Sequence, residues 1–92
     1  MRFQLMRDCR RSASEQRFIY SALEIFPRLK EGERQEIRAL IDRLAEGPAE
    51  GRALYALLVR GETMQRIGDS TGVSAARLYR LRRDFYEQFP IG

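Results

Sequence analysis

Apolar residues recur every three or four positions along most of the chain, a spacing that places them on one face of an α-helix. No stretch shows the strict alternation of apolar and polar residues that is typical of a half-buried strand. Amphipathic segments begin at residues 12, 33, 49, 63 and 74, and turn-forming residues separate them. The pattern predicts an all-α fold of about five helices in a single domain that covers residues 12–92.

Capping residues indicate where the first three helices begin and end. Ser12 followed by Glu15 has the spacing of a capping box. The second helix is predicted at 33–45 and the third at 49–60, with Gly61 as the C-terminal cap of the third. The residues expected to face the core are Phe18, Ile19, Ala22, Leu23 and Phe26 in the first helix, Ile37, Leu40, Ile41 and Leu44 in the second, and Leu54, Leu57 and Leu58 in the third.

The last two helices are separated by a very short turn. Thr63 and Ser74 are placed to cap the two helices, and Gly72 supplies a position that adopts positive φ without a Cβ penalty. The apolar stripe of the final helix consists of Leu78, Leu81 and Phe85. The spacing predicts a helix-turn-helix at residues 63–89.

These residues resemble the helix-turn-helix of DNA-binding proteins. Gly68 lies where that motif has a small residue at the helix crossing, followed by Gly72 at the turn and Val73 behind it. The stretch LLVRGETMQRIGDSTGVSAARLYRLRR resembles region four of sigma factors and small phage transcriptional regulators of that type. The phrase G-V-S-x-x-x-L-Y-R is similar to the DNA-binding domains of resolvase-type recombinases. The resemblance implies a sequence-specific transcriptional regulator, or the DNA-recognition subunit of a recombination or packaging system.

The final helix is basic on the side opposite its apolar stripe. No acidic residue occurs between Asp69 and Asp84, whereas four arginines do. The helix start consists of Ser74, Ala75, Ala76 and Arg77, and its small residues leave the backbone N–H groups open to an anion. The planar fork of arginine suits both phosphate oxygens and the edge of guanine. The helix is therefore predicted to contact nucleic acid; the alternative is an ordinary solvated surface.

The predicted DNA contacts form three groups. The residues expected to face bases in the major groove are Ala75, Ala76, Tyr79, Arg80 and Arg83. The residues expected to hold flanking phosphates are Arg77 and Arg82. The residues expected to touch the DNA backbone at the helix starts are Ser74, Thr63 and Gln65.

Positive charge is concentrated in two places. The chain of 92 residues has a net charge of +4, and the final helix holds +4 at residues 74–83. Residues 1–11 carry four arginines against Asp8, and form a predicted basic N-terminal arm. This arm either packs on the domain or stays mobile, and we expect the mobile form. Localised positive charge is typical of a protein that binds double-stranded DNA.

Several classes of function are not supported by the composition. Histidine is absent, Cys9 is the single cysteine, and no phosphate-binding glycine loop occurs. We therefore expect no enzyme activity, no metal and no cofactor. Cys9 is interpreted as a small apolar side chain that fills space in the core. No apolar run reaches the length of a membrane span, and the first residues do not resemble a signal peptide. A cytoplasmic protein without a membrane partner is expected.

The first two helices are not needed for reading DNA, which suggests a separate role. The first helix is crowded with apolar residues, and Ile25 lies off its main stripe. These residues either enlarge the core or form a surface for homodimerisation through the first two helices or for contact with RNA polymerase. The alternative to a regulator is consequently a protein-interaction adaptor that keeps a helix-turn-helix fold and docks on polymerase or another regulator.

Overall fold

The computed structural model describes residues 3–91 as a helical protein without strands in that range. The five α-helices are α1 (Ala13–Glu24), α2 (Glu31–Leu44), α3 (Pro48–Leu58), α4 (Met64–Thr71) and α5 (Ala75–Gln88), and a short 3-10 turn spans Phe26–Arg28. The predicted all-α fold is confirmed. None of the helices within residues 3–91 has the length and apolarity needed to cross a bilayer.

Local capping interactions determine where α1 and α2 begin. The Glu15 amide donates to Ser12 Oγ at 3.1 Å, and the Ser12 amide donates to Glu15 Oε1 at 3.0 Å, which confirms the predicted capping box. The α2 helix begins two residues earlier than predicted, at Glu31. There the Lys30 amide donates to Glu33 Oε1 at 3.0 Å, so Glu33 lies in the first turn.

The end of α3 differs from its prediction. Val59 is the C-terminal cap, and its amide donates to the Tyr55 carbonyl at 2.8 Å. The assignment of Gly61 as the cap was wrong, although Gly61 has a φ of 67° in the connection that follows. This left-handed residue reverses the chain so that the Glu62 amide reaches the Ala56 carbonyl at 3.1 Å.

The core consists of two clusters that both include α5. The larger cluster joins the N-terminal segment, α1, α2, α3 and α5, and its members include Met6, Ile19, Leu23, Phe26, Ile37, Leu40, Ile41, Leu54, Leu81 and Phe85. The smaller cluster joins α3, α4 and α5 through Ala53, Leu57, Ile67, Val73 and Leu78. The predicted stripe of α5 is buried, and it connects the two clusters.

The apolar stripe of α1 was predicted with one wrong member. Phe18 is 58% exposed, and the buried positions of α1 are Gln16, Ile19 and Leu23. At about 100° per residue, Phe18 lies about 140° away from Leu23 around the helix. The polar Gln16, which the predicted stripe omitted, is buried instead, three residues before Ile19 on the same face of the helix.

The described part of the N-terminal arm packs on the domain, so the expectation of a mobile arm was wrong for residues 3–11. Met6 is buried, and its amide and carbonyl bond the Gln16 side chain at 2.9 and 3.0 Å. The Arg11 guanidinium donates to the backbone carbonyls of Tyr86, Glu87 and Phe89 at the end of α5. Met1 and Arg2, which begin the predicted arm, lie outside the described residues.

Candidate nucleic-acid interface

A three-residue turn connects α4 to α5. Gly72 has a φ of 77°, and its amide donates to the Gly68 carbonyl at 2.9 Å. Thr63 Oγ1 accepts the Arg66 amide at 3.2 Å, and Ser74 Oγ accepts the Arg77 amide at 3.1 Å. The predicted N-caps and the left-handed glycine are thus confirmed, and the side chain of Ser74 is already engaged at the helix start.

The turn lies close to α4. A Cβ atom built on Gly68 would lie 3.5 Å from the Val73 carbonyl oxygen, which is an ordinary van der Waals contact. Alanine therefore fits at this position, whereas a larger side chain would meet the backbone of the turn. This contact gives a physical reason for the small residue at the crossing.

The N-terminal half of α5 is open to solvent. Ser74, Ala75, Ala76 and Arg80 are exposed, and Tyr79 is 38% exposed. The Arg80 guanidinium forms no hydrogen bond or ion pair with any residue from 3 to 91. This surface combines small side chains at a helix start with an arginine whose fork is unoccupied, which is the chemistry that suits a phosphate or a guanine edge.

Arg77 is bound within the protein. Its Nε and Nη2 atoms each donate to a different oxygen of Glu50 in α3, both at 2.9 Å. Glu50 Oε1 also accepts the Glu46 amide at 2.9 Å, and the Glu46 carboxylate lies 3.9 Å from Arg77 Nη2. The hydrogen bonds from Arg77 lower the pKa of Glu50. The predicted phosphate ligand Arg77 is therefore neutralised by α3 instead of being free.

Arg82 and Arg83 also have intramolecular contacts. Arg83 Nη1 lies 3.4 Å from Asp8 Oδ2, and Arg83 Nη2 lies 3.5 Å from Asp84 Oδ1. Carboxylates of the N-terminal segment and of α5 itself therefore offset the positive charge of Arg83. The Arg82 guanidinium stacks over the Tyr79 ring, with its central carbon 4.9 Å from the ring centroid. Arg80 is consequently the one arginine of α5 whose guanidinium forms no hydrogen bond, ion pair or aromatic stacking contact with the described residues.

The start of α4 adds exposed residues beside the turn. Thr63, Gln65 and Arg66 are all exposed, and the Arg66 guanidinium has no hydrogen-bond or ion-pair partner in the described part of the chain. Arg66 was not among the predicted DNA contacts. Its position in the first turn of α4, next to the predicted contact Gln65, could have identified it from the sequence. Glu50 and Asp8 were missed as partners of the arginines because no local pattern connects them.

The described residues offer no evident metal centre. No group of three or more cysteine or acidic side chains within residues 3–91 is arranged to hold a metal ion. Cys9 is half-buried beside the larger core cluster, and burial is the main cause that raises the pKa of its thiol.

Replacing Glu50 by glutamine is expected to lower the free energy of unfolding by about 1 kcal/mol, since an amide nitrogen then faces the guanidinium of Arg77. The pKa of Glu50 is depressed below its ordinary value of 4.5, so its contribution is present above that pH and is lost as the pH falls through the folded-state pKa. Urea unfolding at pH 7 and pH 3 measures the loss of stability and its dependence on pH. The difference in free energy of unfolding between the wild type and Glu50→Gln should be smaller at pH 3 than at pH 7.

Glu36→Gln is the matched control, because Glu36 is exposed on α2 and forms no ion pair with the described residues. Arg77→Gln and the double variant Glu50→Gln/Arg77→Gln complete a double-mutant cycle for the Glu50–Arg77 pair. Equal stabilities of wild type, Glu50→Gln and Glu36→Gln would contradict a stabilising role for the contact.

No protein-family model matches the chain, and no curated protein or solved structure matches it either.

Proposed function

We propose that this protein is a cytoplasmic, sequence-specific DNA-binding transcriptional regulator that places the N-terminal half of α5 in the major groove. The observation that carries the proposal is the exposed surface from Ser74 to Arg80, which begins with small residues and contains the unoccupied fork of Arg80. The Glu50 carboxylate interacts electrostatically with Arg80 but forms no ion pair with it, because Glu50 is bound by Arg77. The Arg80 guanidinium is therefore available to attract the phosphate backbone and to read a guanine edge.

The geometry supports fewer arginines of α5 as DNA contacts than the sequence did, and it adds Arg66 of α4. Ala75, Ala76, Tyr79 and Arg80 are the residues we assign to base edges, and Thr63, Gln65, Ser74 and Arg66 are those we assign to the DNA backbone. Arg77 and Arg83 take part only if a phosphate replaces Glu50 or Asp8 as their partner. Because such an exchange gains little net charge attraction, we assign these two arginines a secondary role.

Binding to random-sequence duplex DNA, measured by fluorescence anisotropy across a salt series, tests the proposal. Each phosphate that the protein neutralises contributes about 0.9 to the slope of log affinity against log salt. On random-sequence DNA, where no preferred base is present, the Arg80 guanidinium is expected to bind a phosphate instead of a guanine edge. Arg80→Ala should therefore weaken this binding about tenfold at low salt and reduce the slope by about 1.

Arg43→Ala is the matched control, since Arg43 is an exposed arginine on α2 that lacks an ion pair within the described residues. It removes the same formal charge away from α5 and should alter the affinity much less. If Arg80→Ala and Arg43→Ala weaken binding equally while circular dichroism shows both folded, the assigned groove surface is wrong.

A second candidate function is supported by α1. Phe18 of α1 is 58% exposed, and Ile25, the residue that ends α1 as its C-terminal cap, is 47% exposed. Such an apolar surface suits a protein partner, either RNA polymerase or a second copy of the chain. Absence of salt-sensitive DNA binding by the folded wild type would favour this adaptor function over the regulator.

A further inference from the structure

The N-terminal segment lies against the C-terminal half of α5. At about 100° per residue, the side of α5 opposite its apolar stripe carries a row of four residues, which are Ala76, Arg80, Arg83 and Glu87. Ala76 and Arg80 are exposed, whereas the other two are half-buried. The Arg10 amide donates to Glu87 Oε2 at 3.0 Å, and Asp8 Oδ2 lies 3.4 Å from Arg83 Nη1. The open surface of α5 therefore ends where the N-terminal segment begins to cover it.

Asp8 is held in place by anchors on both sides of it in the chain. Two residues before it, Met6 is buried and bonded to the Gln16 side chain. Three residues after it, Arg11 donates to three backbone carbonyls at the end of α5. Because these anchors do not depend on the ion pair, the Asp8 carboxylate stays beside Arg83 at a high effective concentration. A phosphate that approaches Arg83 consequently meets an anion that is already in place.

The ion pair between Asp8 and Arg83 contributes little to the stability of the fold. The side chains of Arg83 and Asp8 are 31% and 49% exposed, and exposed pairs are weak because water screens them. The pair of Arg77 and Glu50 differs, since two hydrogen bonds of 2.9 Å join α5 to α3 there. Removing the Asp8 carboxylate should therefore leave the fold intact and change the charge beside the proposed DNA surface.

We infer that Asp8 lowers the affinity of the protein for double-stranded DNA of any sequence, because it occupies the guanidinium of Arg83. This inference rests on the proposed DNA-binding function. The Asp8 carboxylate offsets the charge of Arg83 and repels a phosphate that comes close to it. Asp84 lies 3.5 Å from Arg83 and supplies the remaining part of this effect. With fewer phosphate contacts, a larger share of the binding free energy comes from the base contact assigned to Arg80, which favours the correct sequence.

Asp8→Asn tests the inference, since asparagine has the size of aspartate without its charge. Removing the whole segment would be ambiguous, because the guanidinia of Arg7 and Arg10 form no ion pair within residues 3–91 and would be lost as well. In fluorescence anisotropy with random-sequence duplex DNA, Asp8→Asn is expected to bind about fivefold more tightly than the wild type at low salt. The slope of log affinity against log salt should steepen by up to about 0.9, as one more phosphate is neutralised. Urea unfolding should show unchanged stability.

Asp42→Asn is the matched control, because Asp42 is exposed in a cleft between α2 and α3 and forms no ion pair with the described residues. It makes the same change of charge away from the proposed DNA surface, and should alter the affinity by about twofold at most. Arg83→Ala should have little effect in the wild type, but should remove the gain when it is added to Asp8→Asn.

Two results would overturn the inference and leave the proposed function standing. One is an equal gain in affinity in Asp8→Asn and Asp42→Asn, or no gain in either. The other is a gain in Asp8→Asn that persists after Arg83→Ala. If the wild type and all the variants are folded by circular dichroism but none of them binds duplex DNA, the proposed function fails, and the inference fails with it.

Discussion

Replacing Phe85 by alanine is expected to lower the free energy of unfolding by about 3–5 kcal/mol, because it removes a fully buried aromatic ring and leaves a cavity. Phe85 has no exposed surface, and its ring lies 5.7 Å from that of Phe89 and 6.4 Å from that of Tyr86. It belongs to the larger core cluster, where α5 packs against α2 and α3. Equilibrium unfolding in urea measures the effect.

Phe18→Ala provides a matched control, since it makes the same chemical change on another helix. Phe18 is 58% exposed, so its loss should change the stability by less than about 0.5 kcal/mol. Comparable losses of stability in the two variants would show that Phe18 is buried and would contradict the orientation of α1.

Replacing Gln16 by leucine is expected to lower the free energy of unfolding by roughly 2–4 kcal/mol, although leucine has a similar size and is apolar. The Gln16 side chain bonds the amide and carbonyl of Met6 and also the carbonyl of Arg11, all at 2.9–3.0 Å. Leucine leaves these backbone groups without their partner beside the core. The N-terminal segment should then detach from α1.

Urea unfolding gives the stability of this variant, and limited trypsin digestion at Arg7 and Arg10 reports the detachment. Gln35→Leu is the control, because Gln35 is exposed and, among residues 3–91, its side chain bonds only Glu31 on the same helix. If Gln16→Leu proves as stable as Gln35→Leu and resists trypsin equally well, the amide of Gln16 does not hold the segment.

The helices, and the N-terminal caps of α1, α4 and α5, were predictable because their causes are local. Ser12, Thr63 and Ser74 each accept an amide three residues further along the chain, and such a spacing is visible in the sequence. Gly72 is likewise the one residue type that suits a φ of 77°. The periodicity of α5 was unambiguous, because polar residues occupy most of the positions around its stripe.

The candidate interface was predicted less completely, because pairing across the fold determines which arginines are free. Glu50 is 27 residues from Arg77, and Asp8 is 75 residues from Arg83. No spacing rule relates residues so far apart, so the sequence could divide the arginines of α5 by their position around the helix but could not show which of them form ion pairs within the protein. The same limit applies to Gln16, whose partner Met6 lies ten residues away in an irregular segment.

The bond between Arg11 and the end of α5 has a consequence for how the protein is made. Arg11 reaches carbonyls that lie 75 to 78 residues further along the chain. On the ribosome, the N-terminal segment emerges before α5, and Arg11 has none of these three carbonyl partners until the end of α5 has left the exit tunnel. A nascent chain that stops before α5 also lacks Leu78, Leu81 and Phe85, which join the two core clusters. The native fold is therefore completed only after α5 has been released, and a stalled chain exposes its apolar surfaces to chaperones and proteases.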